Sequence, residues 1–291
     1  MSKSILDLKP KSVWKHFYEF TRIPRPTGQM EEITEYVKKV GNELDLEVKQ
    51  DKAGNVVIIK PASKGYEGRP GVILQAHLDM VPQKNSDVDH DFSKDPIETI
   101  IEGDIVRANS TTLGADNGIG AAMMLALLED KSLQHAVVEC LFTVDEEVGM
   151  DGAFGLEEGY VKGKYMLNLD TEEDGEICIG CAGGADMNIT FGYEEDKEID
   201  KGDVAVKISL TGLNGGHSGS DIHVGLGNAN KLMNRFLKDI VENYEARLSS
   251  IDGGSLRNAI PRESFAVVTV PEQLVDDLID LVGELSNNAG A

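Results

Sequence analysis

Apolar residues follow two spacings along this chain, and the change from one to the other marks where helices give way to strands. Val13, Trp14, Phe17 and Phe20 recur three and four apart, which predicts a helix over 12–20 with one apolar face. Ile33, Tyr36, Val37 and Val40 repeat that spacing over 29–44. DLEVKQ, DKAGN and VVIIK then read as two strands around a glycine-containing turn. GVILQAH, VVECLFTV and YMLNL are short runs with few polar interruptions, as in strands covered on both faces. Between them fall a hairpin near Ile97–Ile101 and Asp104–Val106 and a buried helix through GIGAAMMLALLED.

Strands alternating with helices predict an α/β fold for residues 1–185, a mostly parallel sheet flanked by helices. The pattern changes near Met187. MNITFGY, VAVKISLTG, YEARLSSI and SFAVVTV read as strands, with a helix over 224–242. Pro271 suits the first position of a closing helix bearing Leu274, Leu278, Leu281 and Leu285. Residues 186–291 therefore read as a second, α+β domain.

Charge narrows the partners. The 291 residues hold 51 acidic side chains against 28 Lys and Arg, a net charge of −23. Such a chain repels phosphate backbones and anionic lipid, so neither nucleic acid nor a membrane is an expected partner. No signal-peptide core opens the sequence and no apolar run reaches about 18 residues, so a cytoplasmic location is expected. Cys140, Cys178 and Cys181 make no disulfide framework. The C-x-x-C pair lies in the strand-like run EICIGCAGG, and its thiols read as core residues.

The candidate chemistry sits where apolar runs end. His77 and Asp79 follow one strand, Glu146 and Glu147 another, and Asp170 a third; Asp116 precedes the apolar helix. In parallel sheets, ligands gather beyond the carboxyl ends of the strands, so these side chains are expected to converge. Each alone has an ordinary explanation as a cap, a strand end or a solvated turn. One imidazole and several carboxylates delivered to one place are instead the donors of a hydrolytic metal site. Residues two apart on a strand face one way, so Asp79 can hold the far nitrogen of His77. Of two adjacent glutamates, one can ligate while the other serves as a base. In the second domain, Gly215 and Gly216 open the backbone beside His217, and Asn258 and Arg262 lie in a polar run between strands. GLGNAN has the look of a dinucleotide loop, but no βαβ unit with an acidic ribose-binding position accompanies it.

HLDM, GADNG, DEEVG, NLDT and GGHSG, in this order, resemble the M20 family of di-zinc peptidases. GGHSGSDIHVGLGNANKLMNRFL and GGSLRNAIPRESFAV are similar to its aminoacyl-histidine (Xaa-His, carnosinase-like) dipeptidase branch. The resemblance implies a zinc-peptidase-like catalytic domain, a lid or dimerisation domain, a small peptide substrate and a homodimer formed through the lid. It implies two zinc ions (cobalt or manganese as substitutes) about 3.5–4 Å apart and bridged by Asp116. His77 and Asp170 would hold one metal and Glu147 the other. Asp79 would orient His77, Glu146 would act as base, and His217 would stabilise the oxyanion. Asn258 and Arg262 would position substrate, and the Asp116–Asn117 peptide bond would be cis. Family members supply a further zinc-ligand His late in the chain, whereas no His follows His223 here. Both domains are therefore expected to be incomplete. Two other readings stay open: an N-acyl-amino-acid deacylase with the same site, or a fragment that only binds metal or dimerises.

Overall fold

The computed structural model describes residues 4–171, 175–181, 183, 185 and 187–289, with side chains of the last helix described to Glu284. Leu285 thus lies outside the described side chains. The chain forms two compact units, Met1–Gly183 and Gly184–Ala291.

In the first unit, α1 (Lys11–Arg22) and α2 (Glu31–Glu43) precede β1 (Glu47–Gln50), β2 (Val56–Lys60) and β3 (Val72–His77). A small hairpin follows, β4 (Thr99–Glu102) with β5 (Ile105–Ala108), then α3 (Ala115–Glu129), β6 (Val138–Thr143), the short α4 (Asp151–Phe154) and β7 (Tyr165–Asn168). The main sheet has the order β1-β2-β6-β3-β7. β2 runs antiparallel to β1 and β6, while β3 runs parallel to β6 and β7. The fold is mixed α/β with a parallel heart. Every residue of β6 is buried, which explains its unbroken apolar character. Phe20, Ile33, Val37, Ile58, Leu74, Met124, Leu125 and Phe142 share one core cluster, in which α1, α2 and α3 contribute to the packing against the sheet.

Parallel register decides where the ionisable residues go. His77 pairs with Thr143, and the Leu78 N–H continues the ladder by donating to the Thr143 carbonyl at 2.9 Å. Leu78–Asp79 and Val144–Glu147 therefore leave the sheet side by side. β7 pairs with β3 as far as Gln75↔Asn168, which brings Asp170 to the same end.

Three expectations need correction. YMLNL is a strand, but not a buried one: β7 is the outermost strand, and Tyr165, Met166 and Leu167 are each about half exposed. The run 176–181 forms no ladder, and Cys178 and Cys181 are exposed thiols, unlike the buried Cys140. MNITFGY is likewise unpaired and exposed along its length. In all three, apolar composition signals a tendency to be buried, but burial needs a packing surface, and the described residues supply none there.

The second unit packs a three-stranded antiparallel sheet, order β8-β10-β9, under helices. Its strands are β8 (Asp203–Leu210), β9 (Arg247–Gly253) and β10 (Ser264–Pro271), and its helices are α5 (Ala229–Asn243) and α6 (Val275–Ala289). β10 alternates buried and half-buried residues, the period-two pattern of a central strand with one face on a core. Met233, Leu237 and Ile240 of α5 fill that core with Ala266, Val268 and Val270. The Asn228 side chain caps α5 by accepting from the Lys231 N–H. Pro271 closes β10 rather than opening the last helix; a single 3-10 turn, Glu272–Leu274, separates the two.

Ile58 is fully buried in the main core. Ile58→Ala should cost about 2–5 kcal/mol and Ile58→Val about 0.5–1.5 kcal/mol. Denaturant unfolding checks this, and equal costs for the two would contradict the packing described.

Candidate metal centre

β3 ends on a fully buried His77, and Asp79 two residues later is equally buried. Asp79 confronts the Nδ1 side of the ring with two acceptors, its carbonyl at 3.1 Å and its carboxylate Oδ1 at 3.3 Å. Two acceptors on Nδ1 keep a proton there, so a neutral ring turns its Nε2 lone pair outward. That nitrogen lies 2.8 Å from Asp116 Oδ1, 3.7 Å from Asp170 Oδ1 and 4.0 Å from Glu146 Oε2.

Asp79 also grips the next strand's exit. Its Oδ1 accepts from the Glu146 N–H at 3.1 Å and its Oδ2 from the Glu147 N–H at 3.2 Å. One buried carboxylate thus ties the β3 end to the turn after β6. Asp145, just before, is held in the left-handed region at φ 52° and accepts from the Gly28 N–H at 2.9 Å. Asp116 stands before the regular part of α3, and the Asp116–Asn117 peptide bond is cis.

Among the described residues, one potential ligand atom each from His77, Asp116 and Asp170 lie within 4.8 Å of one another. The same holds for His77, Glu146 and Glu147. The electrostatics show what such crowding does. Burial pushes the Glu147 carboxyl up to about 8, and the charges of Asp116, Glu146 and Asp79 add to it against the opposing pull of His77. Burial likewise lifts Asp170 to about 7, reinforced by Asp116. His77 goes the other way. Burial disfavours its charge, but hydrogen bonds to Asp116 and Asp79 outweigh it and raise the ring to about 10. Asp116, hydrogen-bonded to His77, is held below the usual carboxylate range. In the metal-free chain, protons perform the neutralisation that a cation would. An imidazole nitrogen and hard carboxylate oxygens also suit zinc or a similar divalent ion, so the donor set fits a metal.

His217, Asn258 and Arg262 belong to the second unit, where they share one corner. His217 bridges Ala259, and the Ser218 N–H donates to the Asn258 carbonyl at 2.9 Å. Arg262 Nε donates to the Leu213 carbonyl at 3.3 Å. Nδ1 of His217 accepts from both the Gly219 and Ser220 N–H groups at 3.1 Å. A neutral His217 therefore carries its proton on Nε2 and can donate from there. His223 is exposed in the middle of a 3-10 turn, Ile222–Val224.

Sequence reasoning passed over Arg25 and Thr27, which contact the backbone or side chains of the metal-site loops. The available cue was weak: an arginine set between Pro24 and Pro26, away from any apolar periodicity.

Comparison with other proteins bears on the chain as a whole. The family model described as an M20 peptidase dimerisation domain matches residues 208–291, which lie within the second unit. The cytosol non-specific dipeptidase of Escherichia coli (strain K12) is 50% identical over 276 residues, which cover 94% of this chain and 56% of that protein. The solved structure of aminoacylhistidine dipeptidase from Vibrio alginolyticus is 44% identical with a TM-score of 0.61, over 99% of this chain and 58% of that one. The chain thus spans somewhat more than half the length of these relatives.

Metal must displace the protons on Glu147 and Asp170. Cobalt or zinc affinity is therefore expected to rise as pH passes about 7 and then about 8. Both carboxyls hold protons more tightly folded than unfolded, so deprotonation destabilises the metal-free fold. Its thermal midpoint should fall as pH rises through those values. A midpoint that climbs across that interval, or an affinity flat in pH, would contradict the crowding.

Proposed function

We propose that this protein is a metal-dependent dipeptidase acting on Xaa-His peptides. The convergence of His77, Asp116, Glu146, Glu147 and Asp170 at one end of the sheet carries the reading. Its likeness to proteins named cytosol non-specific dipeptidase and aminoacylhistidine dipeptidase supports the substrate class and a cytoplasmic setting.

In this reading His77 and Asp170 would hold one zinc and Glu147 the other, with Asp116 available to both, and cobalt or manganese as substitutes. The ions would polarise the scissile carbonyl and acidify a water. Glu146 takes the proton from an attacking water as the water oxygen bonds to the carbonyl carbon. It then passes the proton to the leaving amine as the C–N bond breaks. Asp79 supports this by fixing both the His77 ring and the backbone from which Glu146 projects. His217 donates from Nε2 to the tetrahedral oxyanion. Asn258 and Arg262 position the peptide, and the dimerisation domain pairs two copies.

Hydrolysis of β-alanyl-histidine and other Xaa-His dipeptides, with zinc, cobalt or manganese supplied, tests the proposal. Glu146→Gln should lower kcat by about 10²–10⁴-fold while metal content stays unchanged. Full activity in that variant would remove Glu146 as the base. Turnover of N-acyl amino acids without dipeptide cleavage would make the protein a deacylase. Metal uptake with no turnover of either class would leave it a metal-binding or dimerising chain.

A further inference from the structure

The loop after α1 supplies no metal donor, yet it touches three of the segments that do. Arg25 is at its centre and is 1% exposed. Its Nη1 donates to the Leu78 carbonyl at 2.9 Å and the Asp79 carbonyl at 3.1 Å. Nη2 donates to the Gly114 carbonyl, and Nε to the Phe20 carbonyl at 3.4 Å. The guanidinium carbon lies 5.3 Å from the centre of the Phe20 ring. The described hydrogen bonds of this buried cation all go to backbone carbonyls, so it clips two loops together rather than forming an ion pair. The charges of Asp79, Asp116 and Glu147 partly offset the penalty of burying it.

The surroundings are cut to admit this group. A Cβ at Gly114 would come within 2.5 Å of Nη2, and one at Gly118 within 2.6 Å. Gly114 also needs glycine for its φ of 69°, but Gly118 has no positive φ, so room for the guanidinium is the demand there. Beside Arg25, the Thr27 hydroxyl donates to Asp79 Oδ2 at 3.0 Å. Backbone pairing of Pro26 with Met80 holds the strut in register.

We propose that Arg25 and Thr27 are positioning residues of the metal centre. Arg25 locks the loop bearing His77 and Asp79 to the loop bearing Asp116, and Thr27 fixes the Asp79 carboxylate that orients His77 and the Glu146–Glu147 turn. The inference rests on the two-metal reading above. It requires a planar fork at position 25, because one ammonium group cannot span carbonyls on three segments.

The test strips metal from the 291-residue chain and titrates it with Co(II) against a competing chelator, recording the visible cobalt spectrum. Thr27→Val should weaken binding by about 10- to 100-fold and alter the spectrum, with Thr27→Ser restoring both. The thermal midpoint of the metal-free protein should stay near wild type in both variants. Arg25→Lys, which keeps the charge and loses the fork, should weaken cobalt binding as Thr27→Val does. Gly118→Ala, which crowds the guanidinium, should shift the spectrum in the same sense. If Arg25→Lys does not fold, the Thr27 pair and Gly118→Ala decide. Wild-type affinity and spectrum in Thr27→Val and in Gly118→Ala or Arg25→Lys would overturn the proposal while leaving the metal reading intact. No cobalt uptake by the wild-type chain would overturn both.

Discussion

The carboxylates around His77 repel one another, and much of the surrounding structure manages that repulsion. Two like charges about 4 Å apart at a protein surface oppose each other by about 4 kcal/mol. A whole domain is stable by only about 5–15 kcal/mol. The arrangement can therefore persist only with compensation built in. Asp116 finds it in His77, and Asp79 in His77 and two backbone N–H groups. Glu147 and Asp170 find it in retained protons. A divalent cation bound there would neutralise the same charges in competition with those protons.

Rigidity follows from the same constraint. The parallel pairing of β3 with β6 and β7 sets the spacing of the strand ends, and the buried β6 anchors them to the main core. Beyond the last ladder bonds the backbone must turn, and here side chains replace the ladder. Asp79 spans from β3 to the turn after β6, Asp145 reaches back to Gly28, and Arg25 joins the Leu78–Asp79 carbonyls to Gly114. The loops bearing His77–Asp79 and Asp116 are thus tied by buried hydrogen bonds to Arg25, in a loop that bears no ligand, and Asp145 reaches the same loop through an exposed one.

The second unit solves a different problem. Its three-stranded sheet buries one face under α5 and α6 and places His217, Asn258 and Arg262 at one corner. The fixed tautomer of His217 comes from backbone N–H groups of the following turn. Main-chain donors suit that task, because they hold the ring without introducing a second titrating group.

The amino-acid sequence by itself determined most of the helices and strands, though it also read the unpaired runs 176–181 and MNITFGY as strands. It also marked the ionisable residues that end the parallel strands, since periodicity and strand direction are local properties. The His77, Asp116, Glu146, Glu147 and Asp170 cluster was legible for that reason, and the M20 resemblance rested on the same short motifs. Tertiary structure decided what those local signals cannot carry. YMLNL and MNITFGY have the composition of covered strands, but cover depends on a distant partner surface. Asp79 was legible as a partner for His77, whereas its grip on the Glu146–Glu147 turn required β3 and β6 to lie side by side. Arg25 was the least legible of all. Its neighbours, Leu78, Asp79 and Gly114, stand 53 to 89 residues away in sequence, and only the folded chain brings their carbonyls to one guanidinium.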